Sequence, residues 1–277
     1  MFEWHLYWPA LLVLLALGSA TWLLSLPLRN VSIVDSVWSL LIAAAGITYA
    51  NEVLALSLRA WSVLALLAAW ALRLAIYITV RNHGHGEDRR YQAIRARNQP
   101  NFASKSLYLV FGLQALLAWV VSLPLLVGIF DTGPLGWLDY LGVVVLLFGL
   151  LWESIGDAQL ARFKGVADNR GQVMDQGLWR FSRHPNYFGE CCVWWGFWLF
   201  ALAAGAWWAI VSPLLMTLLL LRVSGVSLLE KDIGERRPAY RDYMLRTNAF
   251  FPGAPKRSTR GIGAAHDADS NSDGGKT

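Results

Sequence analysis

The segment GLWRFSRHPNYFGE, residues 177–190, places cationic and hydrogen-bonding side chains directly before the apolar run CCVWWGFWLFALAA. Pro185 fits the first turn of a helix, because its missing N–H would have no partner there, and the free N–H groups of that turn attract anions. By their spacing, four polar side chains share one face of this helix, with His184 beside them: Arg183, Asn186, Tyr187 and Glu190. Arg and His suit phosphate, whereas Asn and Glu can bind ribose hydroxyls or an amide. The segment therefore predicts a nucleotide site.

Charged residues also lie inside apolar segments, where they are costly and often functional. Asp35 lies about one turn into VSIVDSVWSLL, Arg73 lies well inside LLAAWALRLAIYITV, and Asp157 lies in LLWESIGDAQLARF. One interpretation is an internal network of ion pairs that fixes helix register. The other is a ligand site. Because cations predominate, such a site would bind an anion, and the planar fork of arginine binds phosphate oxygens bidentately.

The elements that must position these residues are membrane helices. Hydrophobic residues make up 56% of the 277-residue chain and come in runs, and a span needs about 20 of them. Seven spans are predicted, near residues 7–26, 31–50, 60–80, 107–129, 136–160, 188–204 and 207–229. Backbone groups in lipid must be satisfied internally, and runs this continuous do not fit barrel strands. The prediction is an all-α, polytopic membrane protein with about seven transmembrane helices, in contact with membrane lipids.

Lysine and arginine in the loops predict the orientation. Basic residues cluster in 81–105, 162–183 and 231–246, whereas the intervening loops DTGPLGW and AAGAWW carry none. The N-terminus is therefore expected outside and the C-terminus in the cytoplasm, which places the nucleotide site on the cytoplasmic face, in a bacterial inner membrane. The polar segment 253–277 is predicted to be disordered, so that residues 1–252 form one membrane domain.

Other kinds of site receive little support. Cys191 and Cys192 are adjacent, which strains a disulfide, and are expected to be packing residues. His83 and His85 lie in a basic loop and are expected to be solvated rather than bound to a metal. The sequence contains neither a dinucleotide-binding glycine fingerprint after a strand nor a P-loop. A nucleotide must therefore be held without either fold, and no nucleic-acid partner is expected.

Several blocks resemble the membrane-embedded steroid 5α-reductase family and its bacterial relatives. These blocks are GLWRFSRHPNYFGE, VSGVSLLEKDIGERRPAYRDYMLRTNAFFP, DSVWSL, RLAIYITVRNHGHGEDRRY and ESIGDAQLARFKGVADNRG, from about Val31 to Pro252. The resemblance implies a seven-helix fold with NADPH as hydride donor. It further implies reduction of an enone C=C bond in a lipid-like substrate that enters from the bilayer, such as a 3-oxo-Δ4-steroid.

The resemblance also implies roles for individual residues. Cofactor-contacting positions of the family match Asp157, Lys164, Arg183, Asn186 and Glu190, and further Arg73, His184, Tyr187, Arg237, Tyr240 and Tyr243. The family's substrate-side Glu matches Asp35, the expected catalytic acid that stabilises the enolate oxygen. Its partner tyrosine is replaced by Trp70, whose indole can only donate. Trp38 and Trp70 are expected to line the substrate path.

Two other functions compete with this one. Blocks similar to the Arg-His-Pro segment occur in isoprenylcysteine carboxyl methyltransferases, which bind S-adenosylmethionine, and in sterol C14 reductases. A cationic site favours NADPH, because NADPH carries a pyrophosphate and a 2′-phosphate whereas S-adenosylmethionine carries no phosphate. A transporter would need access from both sides, and the sequence has no inverted repeat. The sequence favours the NADPH-dependent reductase, with the methyltransferase as the alternative.

Overall fold

The computed structural model describes residues 4–223, 226, 230 and 238–256. The long helices are α1 (Trp4–Leu28), α2 (Ile33–Asn51), α3 (Leu58–Asn82), α8 (Trp137–Gly165) and α9 (Pro185–Ala203). The shorter helices are α4 (Arg89–Arg97), α5 (Phe102–Ser106), α6 (Leu113–Val121), α7 (Leu123–Phe130), α10 (Val211–Leu218) and α11 (Pro238–Arg246). Two π-helical turns, Leu107–Gly112 and Leu219–Val223, join α5 to α6 and follow α10. The described residues contain no strand, so the predicted all-α fold is confirmed for them.

The described chain divides into two compact units. The first unit comprises residues 1–150 and 190–218, and the second comprises 151–189 with the described residues from 219 onward. The unit boundaries fall within α8 and α9.

Five helical segments are long and apolar enough to cross a membrane: Trp4–Leu28, Ile33–Asn51, Leu58–Asn82, Phe102–Val121 and Trp137–Gly165. Large apolar side chains on these helices are exposed, as expected for contact with lipid. The chain is therefore a multi-pass membrane protein.

The seven-span count and the orientation of the termini stay predictions. The predicted span 107–129 is divided at Ser122, where α6 ends and α7 begins with Pro124 in its first turn. The last two predicted spans fall in α9 and in the apolar segment Trp207–Arg222, which is shorter than the five spans above. Part of the predicted span 207–229, the segment 231–237 with its three basic residues, and the tail from 257 lie outside the described residues.

Glycines allow α8 and α9 to approach closely within the first unit. A Cβ on Gly196 would lie 2.8 Å from the backbone nitrogen of Leu146, and a Cβ on Gly142 would lie 3.0 Å from the carbonyl oxygen of Gly196. Small residues at such crossings let membrane helices pack through their backbones. Neither position has room for a side chain.

Replacing Gly196 by alanine is therefore expected to destabilise the protein, by about 1–3 kcal/mol for an overpacked contact. Gly165, at the end of α8, has open space around a Cβ, so that Gly165→Ala is the matched control and should leave the Tm unchanged or slightly raised. Thermal unfolding of both variants in detergent measures the difference. Equal Tm values would contradict the proposed close packing.

Candidate functional site

Asp35 lies in the first turn of α2 and is bound by two residues of α4. Arg90 Nη2 donates to Asp35 Oδ2 over 2.8 Å, and the Tyr91 hydroxyl donates to Asp35 Oδ1 over 2.6 Å. Gln114 Nε2 donates to the Tyr91 oxygen over 3.1 Å. We call these four residues the Asp35 cluster. Asp35 accepts the hydrogen bonds from Arg90 and Tyr91, and the Tyr91 phenol is a second group of the cluster that can donate to a ligand. The catalytic role predicted for Asp35 stays a prediction.

Tyr91 is buried, and its phenol stays protonated. Its ring is buried with Val34, Phe102 and Phe111. Burial, and then the charge of Asp35, raise the pKa of Tyr91 above its usual value. The Oε1 atom of Gln114 is buried and accepts no hydrogen bond from the described residues. Because buried polar atoms rarely stay unsatisfied, the Asp35 cluster has capacity for one further polar group.

The loop before α4 is fixed to the start of α2 by two hydrogen bonds between backbone N–H groups and side chains. Asp88 caps α4, and its N–H donates to Ser32 Oγ over 2.8 Å. Glu87 accepts from Val31 N over 2.9 Å and from Arg95 Nη2 over 2.7 Å. Burial acts to raise the pKa of Glu87, but the hydrogen bonds from Arg95 and Val31 lower it overall. These contacts position Arg90 and Tyr91 against Asp35.

Trp70 and Glu190 meet in the first unit. The indole N–H groups of Trp70 and Trp194 donate to the two carboxylate oxygens of Glu190, over 2.7 Å and 3.1 Å, and the two rings meet edge to face. Trp70 is fully buried and Glu190 is 5% exposed. The structure therefore joins the residue predicted to line the substrate path with one predicted to bind the cofactor. Trp38, on α2, is half-buried.

Arg73 follows Trp70 on α3 and is half-buried. Its guanidinium lies over the ring of Tyr77, with 5.5 Å between the guanidinium carbon and the ring centroid. Arg81 lies over the same ring at 5.6 Å. Arg73, Tyr77 and Arg81 thus form a cation–π stack along α3.

In the second unit, Arg183 binds the protein itself. Its Nε atom donates to Glu230 Oε1 and its Nη2 atom donates to Glu230 Oε2, both over 2.7 Å. Its Nη1 atom donates to the carbonyl oxygens of Met244 and Thr247. His184 Nε2 lies 3.0 Å from Glu230 Oε1. Burial acts to raise the pKa of Glu230, but hydrogen bonds from His184 and Arg183 lower it to about 2. Arg183 and His184, which the sequence predicts to bind the cofactor, thus contact Glu230, and Arg183 also contacts the end of α11. Their role toward a cofactor stays a prediction.

Tyr243 also binds within the second unit. It is 1% exposed, and its hydroxyl donates to the carbonyl oxygens of Trp179 and Ser182. Tyr240 is half-buried, with its ring edge-on to that of Tyr243 at 5.3 Å. These contacts fix Tyr243 against residues 179–182, and the cofactor role predicted for Tyr243 stays a prediction. Arg237, predicted in the same group, lies outside the described residues.

Asp157 and Asn186 form a polar pair in the second unit. Asn186 Nδ2 donates to Asp157 Oδ1 over 3.3 Å, and Asp157 is 2% exposed. The Oδ1 atom of Asn186 is buried and accepts no hydrogen bond from the described part of the chain. Tyr187 stacks on His184, with ring centroids 5.5 Å apart. Lys164 is exposed at the end of α8.

The fold thus defines the class: an all-helical, multi-pass membrane protein with buried polar clusters in both units. Residues 21–247 match the family described as "Protein of unknown function (DUF1295)", so the chain belongs to that family, which is associated with steroid 5α-reductase-like membrane proteins. The chain is also similar to the uncharacterized protein C594.04c of Schizosaccharomyces pombe, with 26% identity over 283 residues that cover 87% of this chain and 78% of the relative. No solved structure matches the chain significantly.

Proposed function

We propose that the protein reduces an enone C=C bond in a lipid-like substrate and takes the hydride from NADPH. The observation that supports this reaction best is the hydrogen bond of 2.6 Å between the Tyr91 phenol and Asp35. The steroid 5α-reductases that the sequence resembles pair a carboxylate with a tyrosine, and Trp70 stands in the tyrosine's place here. Tyr91 supplies a phenol to the same carboxylate from another helix.

NADPH, when bound, supplies the hydride that adds to the β-carbon of the enone. The π electrons then move to the ketone oxygen, where negative charge develops. A phenol donating to that oxygen stabilises the enolate and lowers the barrier. In this mechanism the ketone oxygen replaces Asp35 as the acceptor of the single Tyr91 O–H, while Gln114 Nε2 still donates to the phenol oxygen and Arg90 holds Asp35 beside it. The α-carbon of the enolate then takes up a proton from water, which completes the saturated ketone.

The second unit supports a nucleotide through Asn186 and Asp157. An unsatisfied buried amide oxygen suits a ligand N–H or O–H donor, such as the carboxamide of a nicotinamide. Asp157 fixes the orientation of the Asn186 amide by accepting the hydrogen bond from Asn186 Nδ2. S-adenosylmethionine could also supply N–H donors, so direct comparison of the two cofactors is needed.

Binding to the purified full-length protein tests the proposal. NADPH is expected to raise the Tm, whereas S-adenosylmethionine should leave it unchanged. Turnover is followed as oxidation of NADPH in the presence of a 3-oxo-Δ4-steroid or another lipid-like enone. A Tm raised by S-adenosylmethionine alone would contradict the reductase and favour a membrane methyltransferase.

Asn186→Ala is expected to weaken NADPH binding about tenfold, since one hydrogen bond contributes about 0.5–1.5 kcal/mol. Gln172→Ala removes an exposed amide from the same unit and is the matched control. Isothermal titration of both variants measures the Kd. Unchanged affinity in Asn186→Ala would remove this residue from the cofactor site.

A further inference from the structure

The second unit contains a cavity of about 410 Å³, lined by residues other than those predicted to bind the cofactor. Residues 175–177 with Arg180, the end of α11 and residues 255–256 bound it. Sites for small molecules have volumes of about 300–1,000 Å³. The cavity can therefore hold a ligand of nucleoside size.

Backbone geometry builds the walls of this cavity. Gly177 has a φ of +58°, and a Cβ there would meet the side chain of Gln159, whose Oε1 accepts from Leu178 N over 2.9 Å. On the other side, Lys256 N donates to the Arg246 carbonyl oxygen over 2.8 Å. The segment at Gly177 and the one ending at Lys256 are thus held by hydrogen bonds that do not depend on the cationic side chains.

The lining is cationic. It carries Arg180, Arg246 and Lys256 against one carboxylate, Asp175, which leaves a net charge of +2 from three cations and one anion. Arg246 Nη2 lies 3.3 Å from Asp175 Oδ2, and both side chains are substantially exposed, at 41% and 37%. Exposed pairs of this kind contribute about 0–1 kcal/mol. Arg246 can therefore bind an incoming anion at little cost.

We infer that this cavity binds a phosphomonoester group. A phosphomonoester carries a charge of about −1.5 to −2 near pH 7, which matches the net charge of the lining. Arginine forks bind such oxygens bidentately. The group could belong to the 2′-phosphate of NADPH, in which case the inference rests on the proposed function, or to the headgroup of a lipid such as phosphatidic acid.

The test uses the full-length protein in phosphatidylcholine nanodiscs. Arg180→Gln combined with Arg246→Gln removes the cavity's two guanidinium groups, and Lys256→Gln probes the same cavity without altering α11. Arg162→Gln combined with Arg170→Gln is the matched control, since both arginines are exposed in the same unit. Affinity is measured for NADPH and for NADH, which lacks the 2′-phosphate. Thermal shifts are measured with inorganic phosphate and with discs containing phosphatidic acid.

If the bound phosphate group is the 2′-phosphate of NADPH, the wild type should bind NADPH about 10- to 100-fold more tightly than NADH, as charge-assisted hydrogen bonds allow. The cavity variants should lose this preference and the control should keep it. If the bound phosphate group belongs to a lipid, phosphatidic acid should raise the Tm of the wild type and of the control, and only the cavity variants should lose this effect. The inference is overturned if all variants respond like the wild type to NADPH, phosphate and phosphatidic acid. If neither NADPH nor NADH binds at all, the proposed function fails, and the phosphate and lipid measurements still decide the inference.

Discussion

Replacing Tyr91 by phenylalanine is expected to lower kcat for enone reduction by about 10²–10⁴-fold, the usual contribution of a positioned acid or oxyanion donor. The substitution removes one oxygen and leaves the ring in its buried cluster with Val34, Phe102 and Phe111. The fold and the affinity for NADPH should therefore be retained. Oxidation of NADPH at saturating enone measures kcat, and titration of the variant with NADPH measures its Kd.

Tyr108→Phe is the matched control, because Tyr108 is 62% exposed and lies outside the Asp35 cluster. Asp35→Asn should also lower kcat, since the phenol loses the carboxylate that orients it. A full rate in Tyr91→Phe together with a lost rate in Asp35→Asn would return the acid role to Asp35. Unchanged rates in both variants would contradict the proposed mechanism.

The sequence identified Asp35 but not its partners, for a physical reason. A carboxylate inside an apolar run is conspicuous because its burial is costly. Tyr91 lies 56 residues further on, in a loop whose charges are already explained by membrane topology. The available signal was the pair Tyr91 and Ile94, three residues apart in the mostly polar helix α4. This pair marks the face of α4 that packs against Val34, Phe102 and Phe111.

The positions of the helices were easier to predict from the sequence than the contacts of their side chains. Hydropathy predicted spans 31–50 and 60–80, and the structure has Ile33–Asn51 and Leu58–Asn82. The start of α9 at Pro185 is confirmed as well. Local rules of capping and periodicity decide such features.

The role of Arg183 could not be predicted in the same way. Arg183 precedes α9 instead of lying on its face, and its carboxylate partner Glu230 is 47 residues away. A sequence shows that a guanidinium is present but not whether its donors are already used. Arg183 already donates four hydrogen bonds within the protein, two to the Glu230 carboxylate and two to backbone carbonyl groups.

Arg183→Met is therefore expected to destabilise the second unit by about 3–5 kcal/mol, the usual cost of removing one partner of a buried ion pair. The loss arises because, among the described residues, the Glu230 carboxylate keeps only its contact with His184, and the carbonyl groups of Met244 and Thr247 lose a donor. Chemical denaturation without any ligand measures the effect. Arg170→Met, at an exposed arginine of the same unit, is the control. An Arg183→Met protein of wild-type stability that binds NADPH weakly would instead show that Arg183 holds the cofactor.

Because of the same contacts, the free energy of unfolding is expected to depend on pH. The pKa of Glu230 falls from 4.5 to about 2 on folding, because hydrogen bonds from His184 and Arg183 outweigh the opposing effect of burial. A lowered carboxyl pKa contributes stability that is fully present above pH 4.5 and is lost as the pH falls towards 2. Denaturation of the wild type should therefore show a decline over that window, and Glu230→Gln should start lower and decline less. Parallel curves for the two proteins would mean that Glu230 is not held as an ionised carboxylate.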